Sequence, residues 1–269
     1  MTLPVDTVYL SGSAKDSTGK VVSYLWSQVS GPAASTIDDP GSASTFVEGL
    51  VPGTYVFQLM ATDDKGLTGV DTATVTVKPS PLETLTLQPS ANPYEYTISL
   101  LNGANVTGPT TASIEADAWT TGGNPWTLRG LIKFDLSSIP ANATIQSANL
   151  YLYSNPTPTT GDLIHANFGT TNSFTIQQVL TNWSPSTITW FNQPSGATNN
   201  QVVIPATAQS TLDLNVDVTA QVASMVSNNT NFGFLLQLQS EVTYNSRIFV
   251  GSNNATYPDK HPKLVVTYK

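Results

Sequence analysis

The run Thr72-Ala73-Thr74-Val75-Thr76-Val77 alternates small polar and apolar residues without a break. A period of two is the signature of a strand, whose successive side chains point to opposite faces. Short runs of this kind recur along the whole chain, separated by Gly, Pro, Asn and Asp. A chain punctuated in this way has no room for long helices and must bury its apolar faces by packing sheet on sheet. The spacing therefore predicts an all-β protein. Near the N-terminus, Val8-Tyr9-Leu10, Val22–Trp26, Tyr55–Ala61 and Thr72–Val77 read as strands, with Thr62-Asp63-Asp64-Lys65-Gly66 as a hairpin turn. They predict a β-sandwich, and Trp26 reads as core. Farther on, strands are expected at Thr84–Gln88, Tyr96–Leu100, Ser113–Trp119, Arg129–Leu136, Ala148–Tyr153, Thr175–Leu180, Thr187–Phe191, Thr211–Val216, Gly233–Gln239, Ser246–Val250 and Lys263–Tyr268. Such a series predicts a jelly-roll-like sandwich. One short helix interrupts it: Val218, Val222, Met225 and Val226 share a helical face, with Asp217 or Thr219 as the cap.

Composition divides the chain near residue 80. All 20 Asn residues lie between Asn92 and Asn254, and Pro79-Ser80-Pro81 marks a short stiff connector. Two domains are expected, residues 1–79 and 80–269. Charged residues make up 10% of the chain and the net charge is −8, a balance that excludes a nucleic-acid binder. There is no Cys, hence no disulfide, thiolate metal site or Cys nucleophile. No apolar stretch of about 18 residues predicts membrane insertion, and the first residues do not read as a signal peptide. The expectation is an excerpt of a longer chain, with other domains of that parent as neighbours.

No catalytic constellation stands out. His165 and His261 sit outside any metal-ligand spacing and read as structural. Glu115 and Asp117 share one face of an expected strand, as do Asp213, Asn215 and Asp217. Both sets read as the solvated side of a sheet. Calcium is chemically admissible at Asp213 with Asp217, or at Asp16 with Asp63 and Asp64, because a hard cation takes several oxygens. More informative is the strand from Arg129 to Leu136. Alternation puts Ile132, Phe134 and Leu136 on one face and Arg129, Leu131, Lys133 and Asp135 on the other. A loop carrying Trp119 and Trp126 precedes it. An aromatic ring buries the C–H face of a sugar while Arg, Lys and amides bond its hydroxyls. Trp126, Trp119, Arg129, Lys133 and Asp135 are thus the candidate ligand-binding residues, with Tyr94, Tyr96 and Tyr257 as secondary ones. Trp183 and Trp190 read as core. Residues 163–212 carry no formal charge, which suits neutral glycans better than a polyanion.

Two family resemblances follow from longer motifs. Tyr24-Leu25-Trp26-Ser27-Gln28-Val29-Ser30-Gly31-Pro32, Leu50-Val51-Pro52-Gly53-Thr54-Tyr55 and Ala61-Thr62-Asp63-Asp64-Lys65-Gly66 make residues 4–78 resemble a PKD-type domain. That likeness implies an Ig-like spacer or adhesion domain without catalytic residues. Arg129-Gly130-Leu131-Ile132-Lys133-Phe134-Asp135-Leu136, Thr187-Ile188-Thr189-Trp190-Phe191-Asn192-Gln193-Pro194, Asn231-Phe232-Gly233-Phe234 and His261–Tyr268 make residues 83–268 resemble the DNRLRE family, which is related to alginate-binding carbohydrate-binding modules. The pair implies a non-catalytic binding or adhesive protein, secreted or on a bacterial cell surface, whose partner is a polysaccharide or cell-surface glycan. A purely structural spacer, or an ancillary part of a polysaccharide-degrading enzyme, is the alternative.

Overall fold

The alternating runs pair into four antiparallel sheets, two in each of two compact units, Met1–Pro81 and Leu82–Lys269. The computed structural model describes residues 1–88, 96–101 and 112–269. Tyr94, one of the secondary candidates, lies outside the described residues.

In the first unit, β1 (Val8–Ser11), β3 (Thr36–Ile37) and β4 (Ser44–Glu48) form one sheet in the order β1-β4-β3. β2 (Val21–Ser30), β5 (Gly53–Asp63) and β6 (Thr68–Val77) form the other, in the order β2-β5-β6. Alternation decides which side chains turn inward. Tyr55, Phe57 and Leu59 on β5 and Val75 and Val77 on β6 meet Leu10, Val47 and Trp26 in one core. Trp26 is buried there as expected, its indole N–H donating to the Ala43 carbonyl. The Asp63–Gly66 stretch turns as its composition predicts, with the Asp63 carboxylate accepting the Lys65 and Leu67 N–H groups.

The second unit opens with β7 (Glu83–Leu87) and β8 (Tyr96–Leu101), then β9 (Ser113–Thr121), β10 (Asn124–Lys133) and β11 (Ile145–Leu152). Next come β12 (Asn167–Phe168), β13 (Phe174–Gln178), β14 (Val202–Ile204) and β15 (Leu214–Asp217). Helix α1 (Thr219–Ser227) precedes β16 (Phe234–Leu238), β17 (Asn245–Val250) and β18 (Lys263–Tyr268). Eight strands make the larger sheet, β12-β17-β9-β10-β16-β13-β14 with β8 also paired to β10. The smaller sheet runs β15-β11-β18-β7. Ile114, Ile132, Phe134, Phe174, Leu236 and Phe249 from the first meet Leu150, Val216 and Leu264 from the second. The helix face expected from periodicity is the buried one, as Val222, Met225 and Val226 join this core. Val218 stands at the cap position, while Asp217 accepts the Thr219 N–H at 2.9 Å and its hydroxyl at 2.6 Å.

Two expectations are corrected. Thr187–Phe191 is not a strand. Ile188 and Trp183 turn down onto Leu131, Val179 and Leu235 on the outer face of the large sheet. The chain needs a bend to reach that face, so Trp190–Asn192 coils into a short 3-10 turn, with the Asn192 side chain accepting the Thr189 N–H. Strand Arg129–Leu136 is displaced toward the N-terminus and becomes Asn124–Lys133. Among the described residues, no helix is long and apolar enough to cross a membrane.

Candidate functional site

The displacement of β10 remakes the surface around the two tryptophans. Trp119 and Trp126 do not sit in a loop. They are cross-strand partners in the β9–β10 hairpin, which closes through Gly122 and Gly123. Both glycines have positive φ, 58° and 81°, the conformation that a two-residue hairpin matching the strand twist demands. The Trp126 indole N–H donates to the Thr121 hydroxyl at 2.9 Å, which fixes the ring. Trp119 receives two edge contacts, Phe168 at 5.3 Å and Tyr244 at 5.2 Å between ring centroids. Both tryptophans are half-buried, so ring surface remains available. Tyr244 is 53% exposed and holds a φ of 68°, a left-handed conformation that a bulky residue adopts only under constraint. Its N–H donates to the Ala118 carbonyl, and this tether sets the ring against Trp119.

The β16–β17 connection that carries Tyr244 also carries Glu241, and Glu241 meets Arg129. Arg129 Nε donates to Glu241 Oε1 at 2.7 Å and NH2 donates to Oε2 at 3.0 Å, a two-pronged pair. NH1 donates to Gln193 Oε1 at 3.2 Å, and the guanidinium lies 4.5 Å above the Trp190 ring. A guanidinium has five N–H donors; three of them are engaged here among the described residues. The expected core role of Trp190 is therefore revised. The ring packs on the Trp183–Ile188 cluster with part of its surface and turns the rest to Arg129. Sequence spacing had no means of finding Glu241, which lies 112 positions from Arg129, nor Phe168, Gln193 and Tyr244.

Lys133 and Asp135 belong to a different place. They line a cleft of about 460 Å³ at the far end of β10, with Ser137, Met225, Asn229 and Asn231. Seven residues of strand, roughly 23 Å, separate Lys133 from Trp126. Burial lowers the Lys133 pKa, and the Asp135 charge opposes that shift. Tyr96 begins β8 opposite Lys133. The single stripe expected from alternation is thus two surfaces, one at each end of the strand.

The carboxylates also sort themselves. Asp213 and Asp217 cannot share an ion, because four residues of strand span roughly 13 Å. Each is spent on the backbone instead, Asp213 on the Ser154 N–H and Asp217 on Thr219. Asp16, Asp63 and Asp64 do come together, with oxygens within 4.8 Å of one another. Glu115 and Asp117, expected on a solvated face, are instead buried. Segment 154–161 covers them, as the Thr160 hydroxyl bonding Glu115 at 3.0 Å shows. His165 pairs with Asp162, and His261 Nε2 lies 2.9 Å from the Asn254 carbonyl oxygen.

Comparison with known proteins separates the same two units. Residues 1–77 match the PKD domain of the K319L-like type. Residues 102–268, more than half of the chain and including every residue of the Trp119–Trp126–Arg129 surface, match carbohydrate-binding module family 96. The chain belongs to that family. Curated relatives match a shorter part of this family 96 protein. They are the mouse dyslexia-associated protein KIAA0319-like, 41% identical over 78 residues, and human KIAA0319, 39% identical over 95. The aligned parts make up 29% and 33% of this chain but only 7% and 9% of those proteins. Both are mammalian, so the PKD likeness assigns no bacterial source. Among solved structures, the PKD domain of the KIAA 1837 protein is 38% identical, covering 30% of this chain and 78% of that one with a TM-score of 0.28. A carbohydrate-binding module of the β-sandwich superfamily is 13% identical, covering 98% of this chain and 84% of that one with a TM-score of 0.22.

Proposed function

We propose that the family 96 unit binds a neutral polysaccharide on the surface formed by Trp126, Trp119, Tyr244, Arg129 and Trp190. The PKD-type unit is its spacer, in a secreted or cell-surface setting, and the pair catalyses nothing. The observation that carries this reading is the state of Arg129. Its charge is balanced by Glu241, its plane is held by Trp190 and Gln193, and two N–H donors remain. A guanidinium held in this way offers hydrogen bonds to hydroxyls without offering net positive charge, and the half-buried Trp190 ring lies beside it. Pre-paid ordering of this kind raises affinity because less freedom is lost on binding. A net charge of −8 adds to the preference for an uncharged polymer over a polyanion.

Affinity electrophoresis and calorimetry of the full chain, on neutral β-glucans and on alginate, test this. Binding to the neutral polymer is expected, with little dependence on salt because no ion pair forms across the interface. Arg129→Lys keeps the charge and loses the fork and the stacking. It should weaken binding about tenfold, or about 1.4 kcal/mol, and Trp190→Ala at least as much. Binding to alginate alone, or equal binding by both variants, would overturn the assignment. No binding to any glycan would favour a purely structural pair of domains.

A further inference from the structure

Beneath the aromatic surface, β9 carries a second polar group. Ser113, Glu115 and Asp117 share one face of the strand. Ser246, the register partner of Asp117 on β17, lies on that face beside them. All are sealed from solvent, Glu115 at 2% exposure and Asp117 and Ser246 at 0%. Among the described residues, neither carboxylate oxygen of Asp117 makes a hydrogen bond, and the Ser246 hydroxyl makes none. The nearby Ala118 N–H favours the ionised carboxylate without reaching hydrogen-bond geometry. Arg247 is the neighbour on β17, but it pairs opposite Ala116 on the other face and lies over Phe174, so it cannot neutralise the group.

What covers the group also brings oxygen. The Thr160 hydroxyl donates to Glu115 Oε1 at 3.0 Å, and Asn155 Nδ2 donates to Ser113 Oγ at 3.2 Å. Gly161, at a φ of 63°, passes so close that a Cβ there would stand 3.3 Å from Ser246 Oγ. A sealed Asp117 carboxylate with no hydrogen-bond partner among the described residues is strongly disfavoured as a free ion.

We infer that Asp117, Glu115 and Ser246, closed over by Thr160, bind a divalent cation of the calcium type. The donor set is all oxygen, which selects a hard cation over zinc or copper. Asp117 has both oxygens to give, and calcium completes its six to eight ligands with backbone carbonyls and water. The site stands apart from the glycan surface, and its test does not depend on that reading.

Terbium probes it directly, because Trp119 lies two residues from Asp117 on the same strand face and can sensitise the ion's emission. The experiment uses the full chain, stripped with chelator, in an Asp64→Asn background so that the carboxylate group of the first unit does not contribute. Sensitised emission is expected, displaced by calcium and absent in Asp117→Asn. Calcium at about a hundred times its Kd should raise the second unit's Tm by roughly 5–10 °C, and Asp117→Asn should remove that rise. If Asp117→Asn does not fold, Glu115→Gln and Ser246→Ala should each weaken calcium at least tenfold. No response to calcium, a response that survives Asp117→Asn, or unchanged affinity in the other two variants would overturn the inference.

Discussion

At the scale of single residues, two arginines show how differently one side chain can be used. Arg129 is half-exposed and its charge is matched by Glu241. Arg247 is 0% exposed, and its Nε and NH2 make no hydrogen bond among the described residues. Among the described residues only Nη1 has a hydrogen-bond partner, the Pro205 carbonyl at 3.1 Å, and desolvation lowers the guanidinium pKa to about 10. The aliphatic stem and the stacking on Phe174 therefore supply what Arg247 contributes to the core. Arg247→Met keeps the stem and removes the buried charge, so its Tm should equal or exceed that of the parent. A fall of more than about 4 °C, which corresponds to roughly 1–2 kcal/mol at this domain size, would show that the charge itself is needed. Arg129 was legible as an outward-facing candidate, but its pairing with Glu241 and the burial of Arg247 were not, because alternation reveals the face of a residue and not what lies over it. Glu115 and Asp117 illustrate the same limit. Their shared face was readable from the i, i+2 spacing, but their burial depends on segment 154–161, about forty positions away.

At the scale of elements, legibility followed local periodicity. Helix α1 was readable because Val218, at its cap position, and Val222, Met225 and Val226 within it repeat at helical spacing. Its cap can be tested. The Thr219 hydroxyl first, and its N–H second, hold the Asp217 carboxyl below the usual carboxylate range. A lowered carboxylate pKa stabilises the fold above the unfolded value, and that stabilisation disappears as pH falls through the folded one. Asp217→Ala should therefore cost up to about 0.5 kcal/mol near pH 7, because the carboxylate is exposed and screened by solvent. The gap in Tm between parent and variant should narrow as pH falls below about 4; a gap that does not shrink there would refute the cap. Periodicity misled at Thr187–Phe191. Alternation alone cannot separate a strand from a bent segment that drops two apolar residues onto a neighbouring sheet. The β9–β10 hairpin was also missed, although Gly122-Gly123 between two aromatic segments is itself a two-residue turn signal.

For the whole molecule, the strongest signals were compositional and collective: a shift in Asn content near residue 80, turns between short alternating runs, and ordered motifs in each half. They sufficed for two all-β units and for a carbohydrate-binding family, because both depend on many positions at once. The proposed ligand surface depends on a handful of side chains far apart in sequence, such as Arg129 and Glu241, and their pairing is a property of the fold alone. One feature of the second unit reaches into bench practice. Trypsin cuts after Lys and Arg, and between Lys133 and Lys260 the polypeptide offers it only Arg247. With that side chain sealed in the interior, digestion at this bond has to wait for the sandwich to open. Cleavage after Arg247 should be undetectable in the native protein and should appear in step with denaturant unfolding, making one peptide bond a built-in gauge of global opening.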